Sequence, residues 1–168
     1  DFCHKNFNKS YDFEGKIAKK GKIKFELINL WLKKKNFFEK FPKSFDTQDF
    51  KFINSRNYKI YSPYDILRTL TFFSAKLISL IKMSINFKID SWIFAGGGVN
   101  NSLLMSDIKS LLIDEKIFIS NELGFDSSFI ESAAFAYISI RTFKNLPSAF
   151  PNTTGCQKKN VCGSIYKP

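Results

Sequence analysis

The sequence predicts an α/β fold in which short parallel strands alternate with crossover helices. Three observations lead there. Trp92-Ile93-Phe94-Ala95 reads as a short buried strand, followed at once by Gly96-Gly97-Gly98 and then by a helical pattern opening at Ser102-Leu103-Leu104-Met105. Ile117-Phe118-Ile119 repeats the strand signal after that helix, which runs from about Asn101 to Leu112. Helices flank both strands, and the order helix, strand, helix, strand, helix implies parallel pairing.

The elements follow in order. Asp1 to Ser10 is polar and shows no helix start. Tyr11 to Lys20 forms a short helix ended by Gly21. From Ile23, the positions Phe25, Leu27, Ile28, Leu30, Trp31 and Leu32 give a helix with a broad apolar face, fading through the lysine run into Asn36-Phe37-Phe38. Pro42 disfavours helix at Phe41 and makes Phe41 to Asp46 an extended or turned loop. Lys43 and Ser44 in that loop suit a phosphate or a sugar hydroxyl, and equally a solvated surface. Asp46 or Thr47 caps a short helix through Phe50, Phe52 and Ile53.

Ser62-Pro63 opens the longest helix, with proline where its missing N–H costs nothing. Ile66, Leu70, Phe73, Leu77, Leu80 and Ile81 step by three and four and define one core stripe. Arg68, Lys76 and Lys82 mark it as a core helix and not a membrane span. Ser128-Phe129-Ile130-Glu131 is a capping-box pattern for a helix reaching about Phe143. The alanines Ala133, Ala134 and Ala136 allow a close approach to a neighbouring element. The remainder, through Pro151-Asn152-Thr153-Thr154-Gly155 and Gly163-Ser164, is rich in turns. No internal repeat or low-complexity linker divides the chain.

Composition narrows the function. With 168 residues and 44% apolar content, the chain is of globular type. The net charge of +11 would suit an RNA or an anionic surface, but the lysines are scattered where solvated helix faces put them. Cys3, Cys156 and Cys162 make neither a disulfide framework nor a zinc set, and His4 has no companion. A reduced, cytoplasmic setting is expected, and no secretory signal is visible in these residues. Neither a G-x-x-x-x-G-K-[ST] loop nor a G-x-S-x-G elbow is present. The strand, glycine turn and helix start remain as the geometry that lets a backbone approach a nucleotide, since glycine removes the blocking Cβ and free helix N–H groups favour an anion. A tight turn without a ligand fits the same residues.

The order of motifs is more specific than any one of them. Tyr11-Asp12-x-x-Gly15-x-x-Ala18-x-x-Gly21 comes first, then Pro42-Lys43-Ser44 with Phe50. Ala95-Gly96-Gly97-Gly98-x-x-Asn101-x-x-Leu104-Met105, Gly124-x-Asp126 and Glu131-x-x-Ala134-Phe135-Ala136-Tyr137-x-x-x-Arg141 follow. Leu146-Pro147 and Phe150-Pro151-x-Thr153-Thr154-Gly155 close the series. Together they resemble the C-terminal portion of the anhydro-N-acetylmuramic acid kinases over nearly all 168 residues.

The resemblance implies a sugar kinase/actin-like ATPase fold, RNase H-like, with a mixed sheet flanked by helices and two lobes around a nucleotide cleft. Residues 1–168 would be a single C-terminal lobe. The family uses ATP, with Mg2+, to open the 1,6-anhydro ring of anhydro-N-acetylmuramic acid and phosphorylate O6 in peptidoglycan recycling. By analogy Gly96, Gly97 and Gly98 approach the nucleoside and inner phosphate. Asn101 fixes the turn or a ribose or phosphate oxygen, and Lys43, Ser44 and Glu131 match family positions near the substrate. A small-molecule substrate, no nucleic acid, no membrane and a homodimer are the expected associations. Two departures stand out. After Pro42-Lys43-Ser44 many members continue Thr-Gly-Arg-Glu, whereas here Phe45-Asp46-Thr47-Gln48 follows. The family's Gly-Thr-Ser-x-Asp-Gly phosphate motif and its catalytic aspartate in Asp-Thr-Gly-Pro-Gly-Asn do not occur. The base is therefore expected upstream of Asp1, leaving no catalytic residue here and an inactive fragment. Another sugar or acetate kinase of that superfamily, or a basic module binding RNA or anionic partners, are the alternatives.

Overall fold

The computed structural model describes residues 2–34, 37–54 and 60–166. The end of the lysine run, at 35–36, lies outside the described residues. In chain order the elements are α1 (Phe2–Phe7), α2 (Phe25–Leu32), α3 (Pro63–Ser84), β1 (Trp92–Phe94), α4 (Ser102–Leu111), β2 (Ile117–Ile119), α5 (Ile130–Phe143) and α6 (Pro151–Thr154), with short 3-10 turns between them. β1 and β2 pair in parallel, Trp92 opposite Ile117 and Phe94 opposite Ile119. The α/β class and the parallel pairing agree with the sequence. The expected mixed sheet does not form among the described residues: both strands are parallel, and the antiparallel contact is an isolated bridge between Ala149 and Asn160. Trp92–Phe94 and Ile117–Ile119 are short runs of β-branched and aromatic residues, and most of the other described residues are helical or in turns.

α3 is the spine. Ser62 Oγ accepts the Asp65 N–H at 3.1 Å and Pro63 occupies the first turn, as the sequence led us to expect. Ile66, Phe73 and Leu80 pack with Leu27, Ile28 and Trp31 of α2, and Leu70 and Leu77 lean on that core. Phe37 sits among the rings of Phe45, Phe50 and Phe73 at centroid distances of 5.4–5.9 Å. α3 buries a further face that a single stripe did not anticipate. Ala75 and Ile78 meet Met105 and Ile108 of α4, Leu112 just after it, and the inner face of the sheet. A third cluster joins Leu67 to Cys3 and Ala18. Residues 2–7 are helical despite their polar composition, because Phe2, Cys3 and Phe7 find this cluster. Tyr11 to Lys20 is two 3-10 turns, Phe13–Gly15 and Ala18–Lys20, and not one helix, since Glu14 takes a positive φ of 55°.

The capping box at Ser128 does not form. Phe129 stands at the N-cap of α5 without a side-chain bond, and the Ser128 N–H is taken by Asp126 Oδ1 at 2.8 Å. Glu122 supplies a cap of this kind one loop earlier, accepting the Ile119 N–H at 2.6 Å.

Asp65 ties the start of α3 to the chain before α2. The Lys22 N–H, burial acting in opposition, Lys24 Nζ and the Ser62 hydroxyl together hold its carboxyl below the ordinary carboxylate range. A lowered folded pKa adds stability that is complete above the unfolded value of about 4 and is lost as the pH falls through the folded one. Asp65→Asn should therefore be less stable than the parent in urea at pH 7. The gap should narrow as the pH drops below about 4; an equal gap at pH 7 and pH 2.5 would contradict this origin.

Candidate functional site

The glycine turn leaves the C-terminal end of β1, the end of a parallel sheet where α/β proteins place their ligands. Gly96 has φ 82° and ψ 179°, a region that is essentially glycine-only. Its N–H donates to the Ser127 carbonyl at 3.1 Å, which locks the turn to the loop after β2. Gly97 and Gly98 have no such conformational need. A Cβ on Gly97 would meet nothing within 4 Å, and one on Gly98 only Leu104 Cδ2 at 3.8 Å. Packing among the described residues does not demand glycine at either position. Their lack of a side chain leaves bare backbone that a ligand can approach.

Asn101 ends the turn and begins α4. Its Oδ1 accepts the Leu104 N–H at 3.0 Å, so the side chain caps the helix whose positive end faces the turn. Its oxygen is thus committed to the helix that follows the turn.

Residues 10–15 form the other side of the site. Asp12 accepts the N–H groups of Ile17 and Ala18 at 2.7 and 3.0 Å, which bends the chain sharply. The Glu14 carbonyl accepts the Ser102 hydroxyl at 3.0 Å, fastening this bend to the first turn of α4. Between the two sides lies a cavity of about 860 Å³, lined by Tyr11, Asp12, Phe13 and Glu14 opposite Gly97, Gly98, Asn100 and Asn101, with Leu67 and Leu104 in its apolar wall. That volume lies within the range of small-ligand and cofactor sites. Cys3 also borders it; burial first, and the Asp12 carboxylate second, push its thiol up, so it is a neutral wall and not a nucleophile.

A second cavity, of about 580 Å³, lies between Lys82, Lys88, Asp90 and Glu115, before the N-terminal ends of both strands. Two of its charges are turned on one another: Lys82 pairs with Glu115, which also accepts Trp92 Nε1–H at 3.1 Å. The glycine-turn cavity is thus the better candidate on both position and chemistry. Among the described residues no group of three or more His, Cys, Asp and Glu side chains could hold a metal ion, and no helix is long and apolar enough to cross a membrane.

Of the residues singled out from sequence, Gly97, Gly98 and Asn101 line this cavity and Gly96 sets the turn. Lys43, Ser44 and Glu131 are not part of its lining. Lys43 Nζ donates to the Phe37 carbonyl at 2.7 Å and to Ser84 Oγ at 2.8 Å, and burial pushes its pKa down. It clamps the 37–45 loop to the end of α3. Ser44 and Glu131 are exposed, Glu131 in the first turn of α5. Tyr11, Asp12, Phe13 and Glu14 were not expected in the site. The signal was an aspartate three residues before a glycine, between two aromatics, but only the fold brings it to a turn some 85 residues away.

Comparison with known proteins places this chain in a family. The whole chain, residues 1–168, matches the family model AnmK: Anhydro-N-acetylmuramic acid kinase. Proteins carrying that name are similar to it throughout. One from Rhodopseudomonas palustris is 31% identical over 168 residues, covering 100% of the chain and 45% of the relative. One from Clostridioides difficile is 31% identical over 97% of the chain and 44% of the relative, and one from Bacillus cereus 32% over 100% and 46%. The chain spans less than half the length of the curated relatives it matches. Its expected place at the C-terminal end rests on the order of motifs alone.

Proposed function

Since the chain belongs to the anhydro-N-acetylmuramic acid kinase family, we propose that it is one lobe of an ATP-dependent kinase. The kinase would hydrolytically open anhydro-N-acetylmuramic acid and phosphorylate O6, giving N-acetylmuramic acid 6-phosphate in peptidoglycan recycling. The observation that carries this reading is the glycine turn itself: two glycines, needed neither for backbone conformation nor for packing among the described residues, border a ligand-sized cavity at the C-terminal end of β1. ATP, with Mg2+, supplies the phosphoryl group. Gly97 and Gly98 would let the nucleoside and inner phosphate come close to the main chain, and Asn101 keeps the turn and the α4 N-terminus in place. In the proposed reaction water adds to the anomeric carbon, the bond from that carbon to O6 breaks, and O6 takes the γ-phosphoryl group as ADP departs. The base that takes the proton from water is proposed to lie outside these 168 residues, in the part of the family's length that this chain does not span. Removal of such a base typically costs on the order of a hundredfold or more in rate.

A cytoplasmic enzyme that works as a homodimer, without nucleic acid or membrane, completes the proposal. It is tested by incubating the purified protein carrying these residues with ATP and a panel of sugars. ATP consumption is expected with anhydro-N-acetylmuramic acid only; turnover with another sugar and none with this one would overturn the reading.

A further inference from the structure

Two rings in the cavity belong to no hydrophobic core among the described residues. Tyr11 and Phe13 are 66% and 54% exposed, and neither joins any of the three hydrophobic clusters. An aromatic side chain ordinarily stabilises a fold by burying its large apolar surface. These two do little of that, yet the loop that holds them is fixed from three sides. Asp12 between them accepts two backbone N–H groups, the Glu14 carbonyl is bonded to Ser102, and Gly15 packs directly on Leu103 and Asn101. The rings lie 6.3 Å apart between centroids and are tilted by 55°. Both line the cavity whose opposite wall is Gly97 and Gly98. A rigid loop that presents exposed aromatic rings across from an open glycine backbone is arranged for a flat apolar ligand group on one side and a polar, chain-hugging group on the other.

We infer that Tyr11 and Phe13 are the surface on which the purine base of the nucleotide stacks, while the glycine turn receives the ribose and phosphates. The inference rests on the nucleotide reading of this site and adds to it the residues that bind the base. Stacking suits this pair because every base offers a π face. Lys16, whose Nζ lies 4.9 Å from the Phe13 ring centroid, adds a cation to the same ring.

The test is calorimetric titration of ADP into the protein carrying these residues and into Tyr11→Ala, Phe13→Ala and the double variant. Each alanine is expected to weaken ADP binding about tenfold, in the range measured when a stacking aromatic is removed. The hypochromic change of adenine absorbance on binding should fade with it. Tyr11→Phe and Phe13→Tyr should restore both, and the melting temperature without ligand should stay near the parent's, since the rings support no core. Unchanged ADP affinity in the double variant refutes the inference and leaves the nucleotide reading standing. Alanine variants that unfold refute it too, because the rings would then be packing elements. A loss confined to sugar binding reassigns the rings to the other substrate. If the parent protein binds no ADP while correctly folded, the nucleotide reading falls and this inference with it.

Discussion

Asp107→Ala should lower the stability of the chain by about 3–5 kcal/mol, the cost of breaking a buried ion pair by deleting one partner. Arg68 of α3 and Asp107 of α4 form a two-pronged contact, Nη1 to Oδ2 at 2.5 Å and Nη2 to Oδ1 at 2.8 Å. Their side chains are only 13% and 9% exposed. In water such a pair contributes little, but here both charges have left solvent and each is the other's compensation. Alanine leaves the guanidinium buried, in contact with the Phe72 ring and without its anion. Because the pair joins the two helices that carry the cavity wall, the loss should also loosen the glycine turn. Urea unfolding checks the magnitude. Arg68→Met with Asp107→Leu should recover much of the loss, as paired apolar replacement of a buried ion pair often does. A single variant within 1 kcal/mol of the parent would mean that the guanidinium reaches water without its partner.

The Arg68–Asp107 pair also marks the limit of what could be read from the chain. Local signals carried well: proline after a capping serine gave α3, continuous apolar runs gave both strands, and glycine between strand and helix gave the turn. Properties decided by distant partners did not carry. The second buried face of α3 shows only when α4 and the sheet lie against Ala75, and α1 is helical because Leu67 and Ala18 receive Cys3. The alanines of α5 allow a close approach, yet no residue of that helix is buried, and Phe135, Tyr137 and Ile140 are each more than half exposed. The site followed the same division. Its near wall is one contiguous stretch and was legible, whereas the far wall depends on a bend made by Asp12 and a contact between Gly15 and Leu103 across most of the chain. Lys43 lies outside this cavity for a related reason: a lysine after proline matches a motif, but the Phe37 carbonyl and the Ser84 hydroxyl at the end of α3 hold its ammonium.

Gly15→Ala should damage fold and site together. Gly15 has φ +71°, a conformation costing an L-residue about 1 kcal/mol or more. A Cβ there would lie 2.5 Å from Leu103 Cβ and 2.6 Å from Asn101 Oδ1. Neither neighbour is the loose end of a long side chain. Leu103 Cβ moves only with the backbone of α4, and Asn101 Oδ1 is committed to the Leu104 N–H as the helix cap. Overpacking of this kind costs about 1–3 kcal/mol, and with the backbone strain the total should reach about 2–4 kcal/mol. The relief available to the mutant is to push residues 11–15 away from α4, which breaks the Glu14–Ser102 bond and opens the cavity on the side opposite Gly97. The variant should therefore show both a lower urea midpoint and weaker ADP binding. Asn101→Ala, which removes the crowded oxygen along with the cap, should make the added Cβ less costly than in the parent background. A double-mutant cycle on urea stability reads that coupling. Strict additivity would mean that Asn101 Oδ1 adds nothing to the crowding at Gly15, leaving the backbone angle and Leu103 Cβ to account for its cost.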